Sequence, residues 1–174
     1  RGFKPVLWST VEKTALADAE VEYQDHKSDT IYASFPVKSS NIEELKDSEV
    51  IIWTTTPWTI PANRALAYNE NLNYLLIEIK DHKVFKNKKI VIAEALLESV
   101  TKECEIKDFK KINNFKGKNL KGTICKHPFF DLGYDYDIPM LSAQFVTTEQ
   151  GTGIVHCAPS HGPHDFNLCL NNGI

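Results

Sequence analysis

The sequence predicts a single α/β domain, β-rich, with a barrel-like mixed sheet and a few short helices. Two observations lead there. Short apolar, β-branched runs recur along most of the chain and are separated by turn residues, the pattern of many short strands. Helix-forming stretches are few and brief. The 174 residues suit one domain, whose core needs no disulfide or metal to hold it. Apolar residues at 42% and charged residues at 25% are ordinary for a globular chain and exclude collagen, coiled coil and wholesale disorder. No run of eighteen apolar residues occurs, so no membrane-spanning helix is expected, and no leader peptide is visible.

In chain order, Thr30–Val37 alternates as a half-buried strand does and ends at Lys-Ser-Ser. Glu49–Thr54 is a short β-branched run suited to a buried strand, and Tyr74–Ile79 and Lys89–Ile92 repeat the signal. Glu94–Thr101 has helix-forming composition. Leu120–Cys125, Ile138–Leu141 and Gly153–Cys157 complete the expected strands. Asp165–Leu170 reads as a short helix entered from Gly162-Pro163. Neither Arg1–Val6 nor Asn171–Ile174 carries a terminus signal, so both ends read as cuts in a longer polypeptide.

The net charge of −3 hides an asymmetry. Residues 80–126 carry 13 basic and 6 acidic groups, whereas residues 127–174 carry 5 acidic groups and no Lys or Arg. The lysine-rich block suits either a phosphate-bearing partner or a solvated face; no aromatic platform is interleaved with it. Cys104, Cys125, Cys157 and Cys169 show no C-x-x-C spacing and read as free thiols in a reducing compartment.

Two segments carry chemistry. In Trp53-Thr54-Thr55-Thr56-Pro57-Trp58-Thr59-Ile60-Pro61-Ala62-Asn63, three threonines end an apolar strand and run into a proline-fixed turn. Hydroxyls and free amides there can hold a carbonyl, an amine or a water; equally, β-branched threonines simply suit a strand, with both tryptophans in the core. The second segment, Gly151 to Phe166, is a glycine turn, a strand and a Pro/Gly-rich loop bearing His156, His161, His164 and Asp165. Its G-x-G precedes the strand instead of following it, so it is no dinucleotide fingerprint, and no G-K-[ST] follows. The histidines and Asp165 are metal-ligand types, but Pro159, Gly162 and Pro163 exclude helical His-x-x-x-His spacing, and no metal is expected. Ser160 lacks a nucleophile elbow, and Cys157 sits on a buried strand where thiols are inert. Asp165 can pair with an ammonium group or cap the helix that begins there; His156 can shape a pocket or be a satisfied core histidine.

Taken together, W-T-T-T-P-W-T-I-P-A-N at 53–63 and G-T-G-I-V-H-C-A-P-S-H-G-P-H-D-F at 151–166 resemble the editing domain of bacterial isoleucyl-tRNA synthetases, the insertion called connective peptide 1. Ala15–Tyr23, His127-Pro128-Phe129 and Pro139-Met140-Leu141 fall in the same family order, so the resemblance spans nearly the whole chain. Valyl and leucyl editing domains fit less well: they tend to have T-T-R-P at the threonine stretch, and the valyl enzyme has lysine where His156 stands. His164 departs from the family, which often has an acidic residue there. The resemblance implies one editing domain over 1–174, with roughly 1–27 as a lead-in and a C-terminal end cut short of the family's late strands.

It further implies hydrolysis of Val-tRNA(Ile), with valyl-adenylate as a second target, in the cytoplasm. The physical need is general. One methylene is worth only ~1–3 kcal/mol in a synthetic pocket, a limit for which this synthetase is itself the standard illustration. A second pocket can instead admit valine and exclude isoleucine. By resemblance, Asp165 binds the amino group, His156 limits side-chain size, and Thr54, Thr55 and Thr56 line the pocket. Thr56 and Asn63 match residues that position water or the terminal adenosine, and Trp58 packs against that end of the tRNA. The expected partners are the 3′ aminoacyl-adenosine of tRNA(Ile), its valine and the remainder of the synthetase. Editing needs no cofactor; ATP and magnesium belong to the synthetic body, whose H-I-G-H and K-M-S-K-S signatures this chain lacks. Clearance of Thr-tRNA(Val), or binding of the aminoacyl end without turnover, are the alternatives.

Overall fold

The computed structural model describes residues 6–25 and 27–174; residues 1–5 of the expected lead-in and His26 lie outside them. Among the described residues, eleven strands and two α-helices follow in order. A small antiparallel hairpin, β1 (Trp8–Ser9) and β2 (Thr14–Ala15), stands apart as its own sheet. Then come β3 (Ile31–Ser39), β4 (Ser48–Thr54), β5 (Ala65–Tyr68), β6 (Asn73–Asp81) and β7 (Lys89–Ala93). Next are α1 (Leu97–Glu103), β8 (Asp108–Lys116), β9 (Ile124–Lys126), β10 (Asp137–Ser142), β11 (Ile154–Cys157) and α2 (Pro163–Asn171).

Nine strands form one mixed sheet in the order β11-β5-β10-β9-β3-β4-β7-β6-β8. Most neighbours are antiparallel; β10 with β5 and β4 with β7 run parallel. The class expected from the sequence holds, with one refinement: the sheet does not close into a barrel, and β11 and β8 are its edges. Instead the β11 edge curls back until its entry turn meets the end of β7. Ala93 N–H donates to Thr152 O at 2.8 Å, and the Tyr74 hydroxyl donates to Gly153 O at 2.8 Å. Burial pushes the Tyr74 hydroxyl up to about 12, so it remains a donor.

The main core lies inside this curl, built from Phe35, Val50, Ile52, Leu66, Tyr74, Leu76 and Ile92, with Leu96 and Val100 of the α1 region. A second, smaller cluster holds Ala65, Ala67, Ala143, Val146, Cys157 and Cys169. Alternation along β5 explains the split: Leu66 and Tyr68 join the first cluster, Ala65 and Ala67 the second. The small alanines let α2 approach through Cys169, which fixes where the first turn of that helix sits. The cysteines are free thiols, and burial pushes Cys125 up to about 12. Among the described residues, no helix is long and apolar enough to cross a membrane.

Several elements differ from expectation, among them the β1–β2 hairpin, which was not expected. The strand expected over Leu120–Cys125 is a 3-10 turn at Gly117–Leu120 followed by the short β9, because Gly122 takes φ +82 and breaks the run. Strand β5 was not expected: four residues of Ala-Leu-Ala-Tyr carry no period-2 signal when both faces are buried. Strand β8 was masked by lysines and asparagines and by a bulge at Ile112, where Leu76 pairs with Asn113 and Ile77 with Lys111. Lys110 and Lys111 on that edge strand keep it from pairing with another chain, which favours the solvated reading of this part of the lysine block.

Gly153 is the tightest point of the curl. Its φ is +74, and a Cβ there would lie 2.3 Å from the Ala93 Cβ. Gly153→Ala should cost ~2–4 kcal/mol, from left-handed strain plus overpacking. Gly133→Ala, at φ +96 in open space, should cost only ~1–2 kcal/mol of strain. Urea unfolding of both variants measures the difference; equal losses would mean that the contact with Ala93 carries no weight.

Candidate active-site cleft

The threonine segment leaves the sheet at the end of β4. Thr54 is buried as the last strand residue, and its Oγ1 accepts the Thr56 N–H at 3.0 Å, which turns the chain. The Thr54 and Thr56 hydroxyls stand 3.2 Å apart. Pro57 then opens a 3-10 helix, Pro57–Ala62, as proline at a first helical position does. Thr59 donates its hydroxyl back to Thr56 O at 2.9 Å. Behind this turn His127, itself buried, reaches Ile60 O through Nε2 at 2.9 Å and accepts Phe129 N–H at 3.0 Å. Burial lowers its pKa, and Tyr134 stacks on its ring at 4.7 Å. The His-Pro-Phe motif therefore buttresses the threonine turn.

Strand β11 packs against β4 and brings the second segment to the same place. His156 pairs with Leu66 in register, is only 8% exposed, and contacts Thr59 Oγ1 through Nε2 at 2.8 Å and Asn63 Nδ2 through Nδ1 at 3.0 Å. Burial, with His161 and His127 nearby, lowers its pKa to about 4, so the ring is neutral at pH 7. Asp165 sits half-buried in the first turn of α2. It does not cap that helix: Gly162 is the N-cap and no side-chain cap bond forms. Its Oδ2 instead accepts Ala158 N–H at 2.9 Å, tying the helix to the end of β11. Burial raises the Asp165 pKa, against the lowering effect of the Ala158 N–H, His164 and His161.

These elements enclose a cleft of about 320 Å³ lined by Trp53, Thr54, Thr56, Trp58, Thr59, Val155, His156, Ala158, His161 and Asp165. Five of the residues singled out in the sequence thus converge: Thr54, Thr56, Trp58, His156 and Asp165. Trp58 is 64% exposed at the rim and is not a core residue. Thr55 and Asn63 lie elsewhere. Thr55 lines an adjoining cleft of about 260 Å³ with Phe145, Thr147, Gln150 and the Gly151–Gly153 turn, and the two clefts share Trp53, Thr54 and Val155. Asn63 is fully buried and lines neither cleft; it stands behind His156 and also donates to Ala65 O at 2.9 Å. Thr59 was missed by sequence reasoning; the signal was its place one turn after Thr56. Among the described residues, no three His, Cys, Asp or Glu side chains gather as a metal site.

The His156 shift makes stability pH-dependent. The folded value, near 4, lies below the ordinary value of about 6.5, so the unfolded chain binds a proton first as pH falls. Stability therefore drops between about pH 6.5 and pH 4, by up to ~3 kcal/mol from this group. Subtracting the pH profile of His156→Gln from that of the wild type isolates the contribution, since Asp165 is present in both. A flat difference would show a solvated ring.

No family model matches the chain. It is 79% identical over 174 residues to the isoleucine–tRNA ligase of Pelagibacter ubique (strain HTCC1062), covering 100% of this chain and 19% of that protein. It is 45% identical over 180 residues to the isoleucine–tRNA ligase of Gluconobacter oxydans (strain 621H), again covering 100% of this chain and 19% of that protein. The chain spans about a fifth, 19%, of the length of the curated relatives it matches. In solved structures it is similar to the editing domain of the P. knowlesi cytosolic leucyl-tRNA synthetase, with TM-score 0.61 at 14% identity, over 82% of this chain and 60% of that one. Along its whole length the chain belongs to the isoleucine–tRNA ligase family as one segment of such an enzyme, and it has the fold of a synthetase editing domain.

Proposed function

We propose that the cleft hydrolyses the ester of Val-tRNA(Ile), and valyl-adenylate as a second substrate, while excluding isoleucine by size. The observation that carries this reading is the pairing of Asp165 with His156 across one small cleft. A poorly solvated carboxylate gains from an incoming ammonium, a charge-assisted contact worth ~1.5–3 kcal/mol. His156 offers no free nitrogen: one faces Thr59 and the other Asn63. It acts as a wall and not as a base. The α-amino group anchors at Asp165, the side chain points at His156, and a longer side chain meets the ring.

The adjoining cleft with Thr55, across Trp53 and Val155, suits the ribose and adenine of the terminal nucleotide. Water then attacks the carbonyl carbon near the Thr54 and Thr56 hydroxyls. The bond to the ribose oxygen breaks, that oxygen takes one of the water's protons, the other is released to solvent, and free valine leaves as the carboxylate. With both His156 nitrogens engaged and Asp165 assigned to the ammonium, neither serves as the base, and rate comes from orientation and from hydroxyl and amide donors to the developing oxyanion. The tRNA and the rest of the synthetase are the partners in this reading, in the cytoplasm. The acidic segment 127–174 around the cleft implies that most tRNA affinity comes from elsewhere in the enzyme.

Deacylation time courses for Val-tRNA(Ile), Ile-tRNA(Ile) and Thr-tRNA(Val), with wild type and Asp165→Ala, test this. Selective loss of valine, slowed about 10- to 150-fold in the variant, is expected from the energy of the charged contact. Preferential release of threonine would assign the chain to valyl-type editing. Absence of turnover would leave a binding domain.

A further inference from the structure

The hydrogen-bond donors around His156 run in one direction, and the direction is set by Asn63. Ala65 O can only accept, so the Asn63 amide must turn its NH2 toward it, at 2.9 Å. The remaining amide proton faces His156 Nδ1 at 3.0 Å, so Nδ1 must be the acceptor. The single ring proton is then on Nε2 and is given to Thr59 Oγ1 at 2.8 Å, and Thr59 passes its own proton to Thr56 O at 2.9 Å. The chain of donors ends on the backbone of the threonine turn. Its cost is visible at the other end: Asn63 Oδ1 is buried and has no partner among the described residues. An apolar residue of similar size would leave no such orphan, so the amide is not there for packing alone.

We infer that Asn63 is a positioning residue that holds His156 as the neutral Nε2–H tautomer in one ring orientation, so that the size-limiting wall neither turns nor protonates. The inference rests on the reading of His156 as that wall. A proton on Nδ1 would point at an N–H, so the amide opposes the charged ring independently of burial. The other titratable groups around the ring are His161 and His127, which oppose its charge, and Asp165 across the cleft. Asn63 thus acts through His156 and Thr59, without touching the substrate.

Long-range 15N NMR of the histidine rings reads the wall with no substrate present. Wild type should show one Nε2–H tautomer for His156 and stay neutral down to about pH 4. Asn63→Asp, which can only accept, should move the proton to Nδ1 and raise the titration midpoint by more than one pH unit. Asn63→Ala should leave a mixture of tautomers, and Thr59→Val should keep Nε2–H because the amide still faces Nδ1. In deacylation assays Asn63→Ala should lower the Val-to-Ile rate ratio at least about 10-fold, the weight of one methylene. An Nδ1–H or mixed ring in the wild type overturns the inference, whether or not any variant folds. A folded Asn63→Ala that keeps the pure Nε2–H form also overturns it and leaves Asn63 a merely structural amide. Because the tautomer is read without tRNA, absence of Val-tRNA hydrolysis would count against the proposed function alone.

Discussion

Two hydrogen bonds fold one edge of the sheet back toward its middle: Ala93 N–H to Thr152 O, and the Tyr74 hydroxyl to Gly153 O. Without them β11 would extend the sheet as an ordinary edge strand. With them it lies against β4, and residues about a hundred positions apart share a cleft. Gly153 makes the approach possible, because nothing larger fits against Ala93. The loop after β11 and the first turn of α2 are then held by Asp165 on Ala158 N–H and by Cys169 in the small alanine-lined cluster.

Burial acts on Asp165 and His156, both lining the cleft, in opposite directions. It raises the Asp165 pKa and lowers that of His156, in both cases by penalising charge. The carboxylate is thereby primed for a cationic ligand, while the imidazole is kept uncharged and fully engaged. In the proposed reading, one cleft then offers an electrostatic anchor and an inert wall. That division of labour suits discrimination by exclusion, where the energy of one methylene is too small for selection by attraction.

Much of this was legible in the residues. The β-branched runs of β4 and β7 and the strand-turn pattern of β11 identified themselves by composition, and the two motif segments pointed to one site before any fold was known. What stayed hidden has physical causes. Ala65–Tyr68 is short and buried on both faces, so it shows no alternation. Strand β8 wears the lysines of an exposed edge. Gly122 breaks a run that reads as strand. A motif also assigns residues to a site without saying which face the substrate. Asn63 belongs to the threonine segment yet lies behind His156, and Thr55 turns into the neighbouring cleft. Thr59, one turn after Thr56, shows its part in the site through its bond to His156.

The central claim is that the cleft recognises an amino group at Asp165 and measures the side chain against His156. Calorimetric titration with hydrolysis-resistant valyl- and isoleucyl-adenosine analogues addresses it without depending on turnover. The account predicts that the valyl analogue binds and the isoleucyl analogue binds at least about 10-fold more weakly, the least that one extra methylene meeting a rigid wall should cost. Equal affinity for the two would contradict it.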